Sequence, residues 1–153
     1  MKLSGQHLAS FFEAPPKNVM GVLIYGNDPI RVASKREKLI HAILGPNADE
    51  EMRLVRISRE NLKKEPDQAI DLCKAQGFFP GERALLIEEA NETITEIILE
   101  AIDAWKDGDA TIIVTAGSLK PSSRLRKLFE QKKNTYSVPI YDNPMTKFEV
   151  EKI

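Results

Sequence analysis

Five short apolar runs alternate along this chain with stretches whose apolar residues recur at helical spacing. The runs are Met20 to Tyr25 (MGVLIY), Arg53 to Ser58 (RLVRIS), Ala84 to Ile87 (ALLI), Thr111 to Thr115 (TIIVT) and Tyr136 to Tyr141 (YSVPIY). RLVRIS alternates apolar and basic residues, the mark of a strand with one wetter face. Pro139 suits the fifth run to a sheet edge, because proline cannot donate to a strand ladder. Between the runs lie the helical patterns. Ile30 to Leu44 places Ala33, Leu39, Ile40, Ile43 and Leu44 on one side and Lys35, Arg36 and Lys38 on the other. Pro66, at a first-turn position, opens a pattern carrying Ala69, Ile70, Leu72 and Cys73. Thr93 and Glu96 form a capping box ahead of Ile94, Ile97, Ile98, Ala101, Ile102 and Trp105. Ser122 or Ser123 caps a helix with the stripe Leu125, Leu128 and Phe129, and a further helix, Gln6 to Glu13, precedes the first strand.

Strand and helix repeated with short loops predict an α/β fold, a mainly parallel five-stranded sheet flanked by helices. Ligand sites in such sheets sit at the carboxyl ends of the strands. The final stretch, Met145 to Ile153, starts another helical pattern that stops unfinished, so the chain is expected to be an excised N-terminal domain.

Composition narrows the classes. The 153 residues fit one domain, which at about this size buries roughly 68–70% of its unfolded surface. Lys+Arg 22 against Asp+Glu 23 gives a net charge of -1, so no global field draws the chain to nucleic acid or an anionic membrane. The lone Cys73 has no internal partner and no metal-ligand spacing, which fits a reducing cytoplasm. Neither a signal peptide nor an apolar run of transmembrane length is visible, and no metal or cofactor is expected.

Catalytic signatures are weak. The first strand runs into Gly26-Asn27-Asp28-Pro29, where a nucleotide-binding protein places its phosphate loop. Such a loop needs successive glycines and then Gly-Lys-Ser/Thr. Here Asp28 puts a negative charge where phosphate would sit, and an Asn or Asp cap with Pro29 in the first turn explains the residues more simply. A phosphorylation switch on a similar fold wants an Asp after the third strand and a Lys after the fifth. The chain has Glu88-Glu89 and Tyr141-Asp142 there. His7 and His41 stand apart on helical patterns with no nucleophile nearby. Lys120, Arg124, Arg126, Lys127, Lys132 and Lys133 form a basic patch that reads first as a solvated face and second as a contact with DNA or an acidic partner.

The sharpest feature is Lys74-Ala75-Gln76-Gly77-Phe78-Phe79-Pro80-Gly81. Two adjacent rings before a Pro-Gly turn cannot both enter one core. One arrangement is a Schellman stop, with Gly77 left-handed, Phe78 folded back near Cys73 and Phe79 a lone exposed ring. The other makes both rings a plug for a partner's apolar pocket, a burial of about 3–6 kcal/mol. Docking is the expected activity, with a nucleotide-dependent enzyme or a phosphorylation switch as the alternative.

Three segments together resemble the delta-subunit family of bacterial DNA polymerase III, the clamp-loader subunit that opens the sliding clamp. Leu23-Ile24-Tyr25-Gly26-Asn27-Asp28-Pro29 is similar to the family's first strand and the turn that replaces a phosphate loop. Ala75-Gln76-Gly77-Phe78-Phe79 is similar to its clamp-binding element. Lys74 stands where that element often opens with Gln, and Phe78 where it has an aliphatic residue. Ile112-Ile113-Val114-Thr115-Ala116-Gly117-Ser118-Leu119 and then Ser123-Arg124-Leu125-Arg126-Lys127-Leu128-Phe129 resemble the fourth strand and its helix in one branch of the family.

The resemblance implies a degenerate AAA+-type module without a phosphate loop over residues 1–143, with 144–153 beginning a following helical domain. It implies that Gln76, Gly77, Phe78 and Phe79 bind the sliding clamp (the beta subunit). The other partners would be the gamma/tau and delta prime subunits, with DNA met through the assembled complex. No intrinsic enzymatic activity, catalytic residue or cofactor is implied; ATP turnover would belong to sister subunits of the DNA polymerase III holoenzyme.

Overall fold

The computed structural model describes residues 1–3, 6–17, 19–48, 51–75 and 81–140. In chain order the elements are α1 (Gln6–Glu13), β1 (Gly21–Tyr25), α2 (Pro29–Leu44), β2 (Leu54–Ser58), α3 (Arg59–Lys64), α4 (Gln68–Lys74) and β3 (Ala84–Ala90). They continue with α5 (Thr95–Ala104), β4 (Thr111–Ala116), α6 (Arg124–Gln131) and β5 (Thr135–Pro139). The strands form one sheet in the order β2-β3-β4-β1-β5, and every pairing is parallel. The α/β architecture read from the alternation is therefore present. The expected start of another helix at 144–153 lies outside the described residues.

Side-chain alternation divides the core into two layers, since successive residues of a strand face opposite sides. Leu23 and Tyr25 of β1, Leu85 and Ile87 of β3, and Ile112 and Val114 of β4 pack with apolar residues of α3, α4, α5 and α6. Val22 and Ile24, Leu86, Ile113 and Val138 face the other way, against Phe11 and Phe12 of α1 and Val32, Leu39, Ile40 and Leu44 of α2. This division follows from right-handed crossovers. The β1–β2 connection runs one way across the sheet and the remaining connections run the other, so their helices land on opposite faces.

Pro139 ends β5, an outer strand, in keeping with its missing donor. The outer side of β5 is partly covered, because Leu3 N donates to Ser137 O at 2.9 Å and Ser137 N to Met1 O at 2.8 Å.

Four local expectations are corrected. Val32, not Ala33, is the buried residue in the first half of α2. Pro66 precedes α4, in the turn that separates it from the short α3, where Gln68 N bonds Glu65 O. Thr93 and Glu96 make no capping box. Asn91 is the cap, its Oδ1 accepting from Thr93 N at 3.0 Å, and a 3₁₀ turn over Glu92–Ile94 leads into α5. The third strand does not end at Glu88-Glu89 but bulges there and continues to Ala90, with Glu89 at φ 57. Arg59 holds that bulge by donating to Glu89 O at 2.7 Å. Among the described residues no helix is long and apolar enough to cross a membrane.

Phe129 of α6 is fully buried. A Cβ added at Gly21 would lie 2.9 Å from its ring and 3.0 Å from Ile102 Cδ1, so β1 opens with the one residue that leaves that space. Phe129→Ala should cost about 3–5 kcal/mol of stability in a urea melt. A loss below about 1 kcal/mol would mean that the α6 layer is packed differently.

Candidate docking site

The two ends of the sheet differ in construction. At the carboxyl ends, β1 leads through Gly26, Asn27 and Asp28 into α2. The Asp28 carboxylate accepts from Ile30 N at 3.1 Å and Arg31 N at 3.3 Å, satisfying the first amides of the helix. A side chain at Gly26 would collide with the carbonyl oxygen of Ile140, whose own amide donates to Tyr25 O at 2.7 Å. The chain's backbone thus closes over the end of β1. An open pocket of about 210 Å³ borders this turn, lined by Asn27, Ser118, Leu119, Pro139 and Arg126 among others.

The start of α6, at the same end, is also satisfied internally. Ser123 accepts from Arg126 N at 3.1 Å, and Glu92 reaches across from the segment after β3. The Glu92 carboxylate accepts from Ser123 Oγ at 2.6 Å, Arg124 N at 2.7 Å and Leu125 N at 3.2 Å. The starts of α2 and α6 therefore each hold a carboxylate of the chain itself, the favourable charge for that position.

Half of the basic patch is matched by acids. Arg124 pairs with Glu96, Arg126 with Glu130 at 2.9 Å, and Lys132 with Asp103 at 2.9 Å. Arg126 is withdrawn from the exposed face, its guanidinium lying 5.4 Å from the Tyr25 ring centre. Lys120, Lys127 and Lys133 are exposed, as are His7 and His41.

The amino ends carry the other candidate. Gln76, Gly77, Phe78, Phe79 and Pro80 lie outside the described residues, but both flanks are described, and they adjoin the starts of β3 and β4. On the incoming side α4 ends at Lys74. Its ammonium donates to Asp109 Oδ2 at 2.6 Å and Ala104 O at 2.8 Å, and Cys73 O accepts from Ala110 N at 2.9 Å. Lys74 is thereby committed to the α5–β4 connection.

On the outgoing side Gly81 has φ +126, a conformation side chains rarely adopt, with the Arg53 side chain 3.3 Å from where a Cβ would sit. Arg53 is buried and donates to Glu82 O at 3.0 Å and to Glu51 at 2.7 Å. Arg83 spans the two sides. It donates to Ala75 O, to Cys73 O at 3.4 Å and to Gly108 O at 2.7 Å.

The sequence reading missed these anchors. Lys74 and Asp109 are 35 residues apart, and most of the arginine partners are main-chain carbonyls that leave no side-chain signature.

Cys73 sits beneath this region. Burial, reinforced by the Asp109 charge, pushes its thiol up to about 12, which leaves it inert as a nucleophile at neutral pH. Among the described residues no group of His, Cys, Asp or Glu is placed to hold a metal ion. The sequence matches no protein-family model and no curated protein.

Asp109 offers a test of the anchoring. Burial pushes its carboxyl up, but the hydrogen bonds from Lys74 and the Lys106 amide, with the Lys74 and Arg83 charges, outweigh that and hold it below its ordinary value of 3.8. A lowered acid contributes stability that is present above its unfolded value and lost as pH falls through the folded one. Asp109→Asn should therefore be less stable than wild type at neutral pH, with the gap closing below pH 3.8. Thermal melts across that range check it, and a gap constant with pH would contradict the Lys74–Asp109 assignment.

Proposed function

We propose that this domain is the clamp-binding module of a replication clamp loader, a degenerate AAA+-type domain that docks on the sliding clamp and favours its open form. The observation that carries the reading is the Asp28 turn. At the end of β1, where a phosphate loop would present its amides to a nucleotide, a carboxylate of the chain already accepts from them. Two negative groups cannot share those donors, so the position suits capping and not phosphate binding.

The remaining support is the order of the motifs. The LIYGNDP segment forms β1 and its turn, the Phe-Phe segment follows α4, and IIVTAGSL with its Ser-capped helix forms β4 and α6. That is the arrangement the delta-subunit resemblance requires. Lys74, which departs from that family's usual Gln, is engaged with Asp109, so the residues left to meet a partner are those beyond it.

Gln76, Gly77, Phe78 and Phe79 are the proposed contact, with the two rings as the apolar anchor. The beta subunit of the clamp is the direct partner, and the gamma/tau and delta prime subunits complete the loader. DNA is met only through that assembly, in the cytoplasm. A binder opens a ring only by holding the open or distorted interface more tightly than the closed one. Phosphoryl chemistry then belongs to sister subunits, and this chain is a non-catalytic part of the DNA polymerase III holoenzyme.

Replacing Phe78 and Phe79 together with Ala should weaken clamp binding about a hundredfold or more. Stability should fall far less than the about 6–10 kcal/mol that the loss of two core phenylalanines would cost. Titration of the same preparation with labelled ATP should show no saturable binding. Unchanged clamp affinity in the double variant, or saturable ATP binding by wild type, would overturn the reading.

A further inference from the structure

A row of cations runs along one side of α2. Arg31, Lys35 and Lys38 stand at i, i+4 and i+7, positions that share a helix face. Lys38 is exposed, and Arg31 and Lys35 are half-buried. Among the described residues no acid pairs with Lys35 or Lys38. Glu37, the acid in this part of the helix, is taken by Arg36, whose Nε donates to its Oε1 at 3.1 Å. Asp28 lies 4.0 Å from Arg31 Nε, with its other oxygen engaged in capping. The Lys35 ammonium rests 5.5 Å from the Phe12 ring centre, at the seam between α1 and α2. Burial, and then the charges of Lys38 and Arg31, hold it below its ordinary value of 10.5. Like charges are thus crowded here. The basic face of α6 is built otherwise, because the pairs Arg124–Glu96, Arg126–Glu130 and Lys132–Asp103 interrupt it with acids.

We propose that the Arg31–Lys35–Lys38 row is a contact for the phosphodiester backbone of duplex DNA. From Arg31 to Lys38 the helix rises about 10.5 Å, and one strand presents a phosphate about every 3.4 Å of duplex axis, so the row matches about three successive phosphates. Contacts of this kind position a duplex without reading its sequence.

Other anionic surfaces fit less well. A helix lying in a membrane interface needs its apolar side free, and Val32, Leu39, Ile40 and Leu44 of α2 are buried in the core. A protein interface is anchored by large buried groups near its centre. The centre of this row is Lys35, and Ile30, the exposed large apolar residue of α2, lies beyond its end. The net charge of -1 supplies no long-range attraction, so the row acts at contact. Three phosphates are few, which suits a domain to which an assembly brings the DNA. The contact stands apart from clamp binding, and a chain that fails to bind the clamp leaves it untouched.

The test is the fluorescence anisotropy of a labelled duplex of arbitrary sequence, titrated with the 153-residue chain at several salt concentrations, with a melt of each variant. For three phosphates the logarithm of the affinity should fall with that of the salt at a slope of about -2.7, a loss of about fortyfold between about 50 and 200 mM. Lys35→Gln and Lys38→Gln should each make the slope shallower by about 0.9, while Lys127→Gln and Lys133→Gln leave it unchanged. If Lys35→Gln does not fold, Lys38→Gln, at an exposed position, carries the test alone. Absence of duplex binding by wild type at the low salt, a slope that Lys38→Gln does not change, or a slope set by Lys127 and Lys133 would each overturn the proposal. Equal binding of polyglutamate or of phosphatidylserine vesicles, lost in the same variants, would assign the row to another class of partner and overturn it too.

Discussion

A parallel strand with no wet face has to be covered twice, and β1 and β4 impose that condition at the centre of this sheet. Every residue of Gly21–Tyr25 and of Thr111–Ala116 is buried. Only helices on both faces can meet the demand, and the right-handed crossover decides which helix goes where. With β1 between β4 and β5, the chain must leave β1 over one face and return over the other. That separates α1 and α2 from α3 to α6 and gives the domain its two core layers. It also fixes the polarity of the loops. Connections from strand to helix gather at the carboxyl ends, and connections from helix to strand at the amino ends.

The two ends then take different electrostatic solutions. At the carboxyl ends, Asp28 and Glu92 supply the anions that the starts of α2 and α6 attract. A helix start capped by its own carboxylate has little left to offer a phosphate. At the amino ends, helix carbonyls need donors, and Lys74 and Arg83 provide them. Charge-assisted bonds to main-chain carbonyls are stronger than neutral ones, while an exposed ion pair such as Arg124–Glu96 contributes little. At the amino end the residues flanking the 76–80 stretch are thus tied to main-chain carbonyls of the α5–β4 connection, whereas at the carboxyl end the starts of α2 and α6 are already capped.

Much of the architecture was legible because strands buried on both faces write themselves as apolar runs, and MGVLIY and TIIVT are such runs. The edge position of the last strand followed from Pro139, and the Asp28 cap from the Asp-Pro pair. The short α3 went unseen, since among its residues Leu62 alone is buried and one apolar residue makes no period. The Thr93–Glu96 box failed for a tertiary reason: Asn91 takes the capping role, while Glu96 turns outward to Arg124. At the amino ends the two adjacent phenylalanines were visible as a local oddity of the sequence, but the anchors of the flanking residues were not. Those bonds join Cys73, Arg83 and Gly108 through the backbone, and a backbone partner leaves no mark in the side-chain pattern.

The central claim is that the amino end docks a partner and the carboxyl end does not. Amide hydrogen exchange of the chain with and without the sliding clamp tests it most directly. Protection should appear on the amides flanking the Phe-Phe segment, from Lys74 to Arg83. The Gly26 to Arg31 turn and the Gly117 to Lys120 loop should exchange at unchanged rates. Protection confined to those carboxyl-end loops, with none between Lys74 and Arg83, would contradict the account.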